Sequence, residues 1–413
     1  MAAISIDSKR LWRSLMDLAK IGATEKGGVC RLALTDLDRR ARDLFHGWCT
    51  ESGCTVTVDG IGNIFARRPG SNNQLPPIIA GSHIDTQPSG GKFDGNFGVL
   101  AGLEVVRSLN DHGIRTEAPI EVAVWTNEEG SRFTPVMMGS GVFVGAFPLD
   151  STLQRVDLDG VTVGEALTKI GYSGSTPVGK RLVGAYFEAH IEQGPILEDS
   201  KKVIGVVVGA LGLRWYDVVV TGQDAHAGPT PMRLRKNALV AASKMVADID
   251  ELASRFQPDG RATVGFMQVK PNSRNVIPGE VKFSIDLRHA EDNVLEKMEA
   301  ETRALCERHA QSGSVKVNVE RVANYPACKF DVTCVAAVRN AAHKLGVSHM
   351  DIVSSAGHDA IYMARVAPTS MIFVPCEGGI SHNEIENAKP EDLAAGCNVL
   401  LNVMLDRARV VNK

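Results

Sequence analysis

The stretch GSHIDTQPSGGKFDG, residues 81–95, places a histidine and two aspartates around a Ser-Gly-Gly turn. It follows the apolar run Ile78-Ile79-Ala80, which is typical of a buried strand. Imidazole and carboxylate groups together are donors that several divalent metals accept. His83 and Asp94 are therefore candidate metal ligands, although a single His-x-Asp motif also occurs in many ordinary surface loops.

Three later segments carry residues of the same types beside apolar runs. These candidates are Glu128 and Glu129 in TNEEGSRF, His190 in EAHIEQGP and His382 in GGISHNEIE. The combined set of imidazole and carboxylate donors predicts a centre for two divalent cations. Two cations at short separation need a bridging carboxylate, and we assign that role to Asp94.

The Glu-Glu pair and Asp85 suit roles beside such a centre. Hydrolysis of an amide needs a carboxylate that takes a proton from water and later delivers it to the leaving nitrogen. Two consecutive glutamates in a turn can point in different directions, so that one binds metal and the other acts on the substrate. Asp85 lies two residues after His83, on the same side of an extended chain, and is predicted to orient that imidazole.

The pattern around these residues predicts the elements that position them. The apolar strand IIAGSH precedes a helical segment, NFGVLAGLEVVRSL, and a second apolar strand, IEVAVW. This order predicts a parallel sheet that is covered by helices on both faces. Ligands of such sheets gather beyond the carboxyl ends of the strands. His83 and the Glu-Glu pair each lie past a strand end, so they can converge although they are distant in the chain.

A chain of 413 residues exceeds what one hydrophobic core usually supports. A second strand-rich block begins near Leu211, and its strand-helix-strand-strand-helix-strand order fits a compact α/β sandwich with one antiparallel sheet. We therefore predict an α/β protein with a large catalytic domain, residues 1–210 and 327–413, whose mainly parallel sheet is flanked by helices. Residues 211–326 are predicted to form an inserted α/β sandwich domain.

Composition excludes several classes of partner. A formal net charge of -3 and 23% charged residues give no basic face for nucleic acid. No apolar run approaches the roughly 20 residues of a membrane span, and the N-terminal segment MAAISIDSKR lacks the apolar core of a signal peptide. We expect a cytoplasmic protein without a membrane partner.

Five motifs, taken in order, resemble the M20 metallopeptidase superfamily: GSHIDT, FDGNFGVLAGLE, TNEEGSRF, HIEQGP and GISHNE. They are most similar to its amidase branch, the N-carbamoyl-L-amino-acid hydrolases, allantoate amidohydrolases and β-ureidopropionases. The resemblance covers nearly the whole chain. It implies that His83 and His190 hold one cation, that Glu129 and His382 hold the other, that Asp94 is shared, and that Glu128 is the general base and acid.

The resemblance also implies that the inserted domain is a lid and dimerisation domain. His226, in GQDAHAGPTPM, would reach into the partner subunit's site and polarise the scissile carbonyl. Asn275 and Arg288 would hold the α-carboxylate of the substrate, for which a planar guanidinium is well suited. Arg288 could instead form an ordinary surface salt bridge.

Three further positions have open roles. Gln193, in HIEQGP, and His358, in SAGHDA, are predicted substrate contacts, and each could instead brace the metal-binding loops. Cys376 lies where relatives often carry a small hydroxyl residue. That departure concerns the fit around the distal part of the substrate.

We predict a homodimeric amidohydrolase with two divalent cations, for which zinc, manganese, cobalt and nickel all suit the donors. It would hydrolyse the carbamoyl C–N bond of N-carbamoyl-L-amino acids to amino acid, ammonia and carbon dioxide. An allantoate or ureidoglycolate amidohydrolase would share every ligand. An M20 peptidase or deacylase agrees less well with HIEQGP and GHDA. A non-catalytic metal-binding scaffold agrees poorly with the Glu-Glu pair, since a structural site needs no free base.

Overall fold

The computed structural model describes residues 4–411, so the first three residues of the segment MAAISIDSKR lie outside it. The chain divides into two compact units. The first contains the described residues of Met1–Val208 and Phe330–Lys413, and the second is Gly209–Lys329. Within the described residues, no helix is long and apolar enough to cross a membrane.

The first segment of the chain supplies most of the large unit. Its helices are α1 (Ser8–Ala19), α2 (Asp36–Glu51), α3 (Asn96–Asp111), α4 (Met138–Phe143), α5 (Leu149–Leu153), α6 (Val163–Ile170) and α7 (Ile196–Asp199). Its strands are β1 (Thr55–Val58), β2 (Ile64–Arg68), β3 (Ile78–His83), β4 (Ile120–Trp125), β5 (Ala185–Ile191) and β6 (Ile204–Ala210).

The middle segment forms the second unit. Its strands are β7 (Gly212–Thr221), β8 (Ala225–His226), β9 (Arg261–Thr263), β10 (Met267–Lys270), β11 (Val276–Ile277), β12 (Glu280–His289), β13 (Lys316–Tyr325) and β14 (Cys328–Lys329). Its helices are α8 (Ala238–Ser254) and α9 (Asp292–Ser312). The last segment returns to the large unit and contributes α10 (Val332–Lys344), β15 (His349–Ser354), α11 (Asp359–Met363), β16 (Thr369–Val374) and α12 (Pro390–Ala408).

The large unit is built on one sheet with the strand order β1-β2-β4-β3-β5-β16-β6. The four central strands, β4, β3, β5 and β16, run parallel, whereas β2 and β6 pair antiparallel at the two sides of this group. Every residue of these four strands is buried, which explains their nearly continuous apolar runs. Helices α3, α10 and α12 pack against the sheet. The prediction of a mainly parallel sheet flanked by helices is confirmed.

The second unit has an antiparallel sheet with the order β10-β12-β7-β13, and β9 also pairs with β12. Its hydrophobic core combines alternate residues of β7 and β12 with one face each of α8 and α9. Phe283 and Ile285 of β12 point into this core, so Asp286 and Arg288 lie on the opposite face of the sheet. The predicted sandwich with one antiparallel sheet is confirmed.

Candidate metal centre

The candidate ligands lie together at the carboxyl ends of the four parallel strands of the large sheet. His83 is the last residue of β3, and Glu128 and Glu129 follow the end of β4. His190 is the sixth residue of β5, and His382 follows β16 along the chain. The sheet therefore brings together residues that are far apart in the sequence.

One group of potential ligand atoms is deeply buried. The Nε2 atom of His190 lies 3.2 Å from Oδ1 of Asp94, and Nε2 of His83 lies 3.7 Å from the same oxygen. The three side chains together have ligand atoms within 4.8 Å of one another. This group, which we call the closed subsite, has the donor chemistry of a divalent metal site.

A second group shares Asp94 and is open to solvent. The Nε2 atom of His382 lies 3.3 Å from Oδ2 of Asp94 and 3.3 Å from Oε2 of Glu129. The side chain of His382 is 50% exposed, in contrast to the buried histidines of the closed subsite. We call Asp94, Glu129 and His382 the open subsite. Each oxygen of Asp94 faces one subsite, which is the arrangement that a carboxylate bridging two cations requires.

Glu128 lies beside the closed subsite, with Oε2 at 3.5 Å from Nε2 of His83. Both subsites, together with Glu128, line a cavity of about 230 Å³. Burial, the charge of Asp359 and the charge of Glu129 hold the pKa of Glu128 well above its usual range. Glu128 therefore combines the position and the elevated proton affinity that a general base and acid needs.

The pKa values of several ionisable groups in the two subsites are shifted from their usual range. Burial raises the pKa of Asp94, but hydrogen bonds to His190 and His382 outweigh burial and leave this pKa well below its usual range. The hydrogen bond to Asp94 raises the pKa of His382 to about 9. Burial, followed by the charge of Asp94, raises the pKa of Glu129 to about 8. A divalent cation would stabilise the charged carboxylates that burial and mutual repulsion disfavour.

The carboxylate of Asp85 has a role different from the predicted one. It accepts hydrogen bonds from the backbone N–H groups of Glu128 and Glu129, both at 3.2 Å. Nδ1 of His83 lies 2.9 Å from the backbone oxygen of Asp85 but 4.0 Å from its carboxylate. The imidazole is thus oriented by the backbone of residue 85, while the side chain holds the Glu-Glu pair in place.

Gln193 has features of both roles that its sequence left open. Its Nε2 donates to Oδ2 of Asp94 at 3.0 Å and to Oγ of Ser381 at 3.2 Å, so it braces the Asp94 carboxylate. Its Oε1 is buried and has no hydrogen-bond partner among the described residues. Because Gln193 lines the cavity, this oxygen is placed to accept a hydrogen bond from a substrate.

His358 also lines the cavity and is buried against the closed subsite. Its ring packs edge-on to that of His190, with 4.6 Å between the centroids, and its Nε2 lies 3.0 Å from Oγ of Ser354. It forms a third group of possible ligand atoms with Glu188 and His190. The oxygens of Glu188 already accept hydrogen bonds from Ser82, Tyr186 and the N–H of Ala360, which makes that group the weaker metal site.

Sequence reasoning missed Glu386, which holds the backbone at Asp94. Its Oε1 accepts hydrogen bonds from the N–H groups of Phe93 and Asp94, at 2.9 and 3.2 Å. A Cβ atom on Gly91 would clash with this carboxylate, so the close approach requires glycine. The quoted motifs contained both signals, since Glu386 follows His382 in SHNEIE and Gly91 belongs to GGKFDG.

The second unit carries the other three predicted residues. His226 is exposed in β8, where it pairs with Val276, and the N–H of Ala227 donates to the backbone oxygen of Asn275. His226 and Asn275 are therefore neighbours across a two-stranded ladder. The guanidinium of Arg288 binds the Asp286 carboxylate, with Nη2 to Oδ2 at 2.8 Å and Nε to Oδ1 at 3.1 Å. In this structure Arg288 forms a salt bridge with a residue of its own strand, as the alternative to a substrate contact proposed from the sequence.

Cys376 is buried below the loop that carries Gln193, with Sγ 3.9 Å from the backbone oxygen of Gly194. Burial raises the pKa of its thiol to about 12. Cys376 is therefore a packing residue of this loop rather than a reactive thiol.

The parallel sheet, the clustered ligands at its carboxyl edge and the adjacent glutamate define a metal-dependent hydrolase. The chain belongs to peptidase family M20/M25/M40, whose model matches residues 79–406. The predictions of a hydrolase and of this superfamily are confirmed.

Full-length relatives refine this assignment. The chain is 47% identical to an N-carbamoyl-L-amino-acid amidohydrolase of Rhizobium meliloti, over 98% of both chains. It is 33% identical to an allantoate amidohydrolase of Bacillus subtilis, over 94% of both chains. The crystal structure of a hydantoinase/carbamoylase family amidase from Burkholderia multivorans is 58% identical, with a TM-score of 0.95 and 98% coverage of both chains. The similarity thus extends over the whole chain and lies within the amidase branch.

Proposed function

We propose that the protein hydrolyses the carbamoyl C–N bond of N-carbamoyl-L-amino acids with two divalent cations. The observation that carries the proposal is the placement of Asp94, whose two oxygens each face one group of ligands beside Glu128. The full-length similarity to an enzyme named for this activity supports the substrate class. The donors suit zinc, manganese, cobalt or nickel.

The residues of the site divide the reaction between them. When bound, two divalent cations lower the pKa of a shared water and polarise the substrate carbonyl. Glu128 takes the proton of the attacking water and then delivers it to the departing nitrogen as the C–N bond breaks. Oε1 of Gln193 accepts a hydrogen bond from a carbamoyl N–H. The products are the amino acid and carbamate, which decays to ammonia and carbon dioxide.

A substrate panel tests this function directly. The chelated protein, before and after addition of each divalent metal, is assayed for ammonia release from N-carbamoyl-L-methionine, allantoate and ureidoglycolate, and for cleavage of a dipeptide. We expect the highest kcat/KM on the N-carbamoyl-L-amino acid, and only with metal present. A preference for allantoate would favour the alternative that the Bacillus subtilis relative represents. Turnover of the dipeptide alone would contradict the proposal.

We propose that Arg288 and Asn275 bind the α-carboxylate of the substrate, which would take the place of the Asp286 carboxylate at the Arg288 guanidinium. Replacement of Arg288 by alanine is expected to raise KM for N-carbamoyl-L-amino acids roughly tenfold to a hundredfold, because hydrogen bonds to a charged group contribute about 1.5–3 kcal/mol. Arg288→Lys should recover part of this loss, since it keeps the charge but not the planar fork. The control substrate is the corresponding carbamoyl amine without a carboxylate. An unchanged KM for the amino acid substrate would contradict the anchor.

We also propose that the protein is a homodimer in which His226 polarises the scissile carbonyl in the partner's site. His226→Ala and Glu128→Gln are each expected to retain at most about 1% of the wild-type activity alone. If subunits exchange freely, an equal mixture should recover up to about a quarter of the wild-type activity, because half of the dimers contain one intact site. The mixture is assayed after incubation, and its mass in solution is measured. A monomeric mass, or a mixture as inactive as its components, would contradict the shared site.

A further inference from the structure

Gln87 holds both oxygens of one ligand of the open subsite. Its backbone N–H donates to Oε1 of Glu129 at 3.1 Å, and its Nε2 donates to Oε2 at 2.7 Å. A carboxylate has a broad terminal torsion and rotates easily when it is unsupported. The two donors of Gln87 therefore fix the plane of the Glu129 carboxylate.

The held oxygen is the one that faces the open subsite. Oε2 of Glu129 lies 3.3 Å from Nε2 of His382, and the same oxygen accepts the amide hydrogen of Gln87. Because a carboxylate oxygen has two lone pairs, this hydrogen bond leaves one of them for a cation. A hydrogen bond to a ligating carboxylate orients it and adjusts its affinity for metal.

The orientation of the Gln87 amide is itself fixed. Ser131 donates from Oγ to Oε1 of Gln87 at 2.7 Å, and Nε2 of Gln87 is also 3.5 Å from the backbone oxygen of Glu129. The end of the amide that faces Glu129 therefore carries the NH₂ group. Glu129 is therefore held at two points: Gln87 binds its carboxylate, and the Asp85 carboxylate accepts a hydrogen bond from its backbone N–H.

The closed subsite is supported differently. Nδ1 of His83 and Nδ1 of His190 each lie 2.9 Å from a backbone oxygen, that of Asp85 and that of Ile191 respectively. Both rings are buried, whereas His382 of the open subsite is half exposed. The geometry of the open subsite thus depends on how firmly Glu129 is held.

We propose that Gln87 is a positioning residue that sets the affinity of the open subsite for its divalent cation, without setting that of the closed subsite. The inference rests on the proposed function in that it requires two cations per chain. It extends that function by proposing that different residues set the metal affinity of the two subsites.

The test measures metal content rather than activity. Metal-free wild-type protein and Gln87→Met are dialysed against buffers of graded free zinc, and bound zinc per chain is determined by elemental analysis. Methionine keeps the length of the side chain and removes the amide donor. We expect the first zinc to bind both proteins equally, and the second to need roughly tenfold to a hundredfold more free zinc in the variant.

Two further variants sharpen the result. Ser131→Ala loosens the Gln87 amide and is expected to weaken the second zinc in the same direction by a smaller factor. Gln74→Met alters an exposed glutamine outside the cavity and should bind both zinc ions as the wild type does. Equal thermal unfolding of metal-free wild type and Gln87→Met would show that the fold is intact.

The possible results distinguish a failure of the Gln87 role from a failure of the two-cation function. If Gln87→Met binds two zinc ions like the wild type, or loses affinity equally for both, the role of Gln87 is overturned while the two-cation function stands. If the wild type itself never binds more than one zinc ion, the two-cation function is overturned as well.

Discussion

Replacement of Glu128 by glutamine is expected to lower kcat by a factor of roughly 10²–10⁴ while both cations remain bound. Glu128 lies 3.5 Å from the imidazole of His83, but its carboxylate is not needed to complete either group of ligands. Glutamine has nearly the same shape and cannot take a proton from water. The variant should therefore lose the proton transfer and keep the structure of the centre.

The measurement combines turnover of N-carbamoyl-L-methionine with zinc content per chain. Glu129→Gln is the matched control, because the neighbouring glutamate belongs to the open subsite. We expect that control to lose one cation as well as activity, whereas Glu128→Gln keeps two. Near-normal turnover of the fully metallated Glu128→Gln variant would exclude Glu128 as the general base.

Replacement of Asp94 by alanine is expected to weaken the binding of both cations by more than about a hundredfold, beyond the range typical of residues that only support a ligand. Its Oδ1 lies 3.2 Å from His190 in the closed subsite, and its Oδ2 lies 3.3 Å from His382 in the open one. A single substitution therefore removes a donor from each subsite. Activity should fall below detection at zinc concentrations that saturate the wild type.

His382→Ala serves as the control for Asp94→Ala. His382 belongs to the open subsite alone, so its loss should reduce the zinc content from two ions to one per chain. Both variants are measured by zinc titration together with thermal unfolding of the metal-free protein. Retention of two zinc ions by Asp94→Ala would contradict the bridging geometry. Loss of both by His382→Ala would contradict the separation of the subsites.

The sequence by itself determined the class of fold and placed the site at the carboxyl ends of the parallel strands. Apolar runs such as those of β3 and β4 are local signals, because a strand that is buried on both faces is apolar throughout. His83 and the Glu-Glu pair follow such runs directly, so their position at strand ends could be read without knowing the sheet. The change of pattern near Leu211 is also a local signal, because β7 alternates buried and more exposed residues, as a strand with one face on the core does.

Only the tertiary structure decided which atoms contact which. The carboxylate of Asp85 holds the backbone of the Glu-Glu pair, and Gln193 braces Asp94, although local spacing placed Asp85 beside His83. Gln87 and Glu386 support ligands 42 and 292 positions away. Periodicity and motif order predict the element on which a residue lies and its position along that element. The partner of its polar atoms depends on how distant segments pack, which no local pattern specifies.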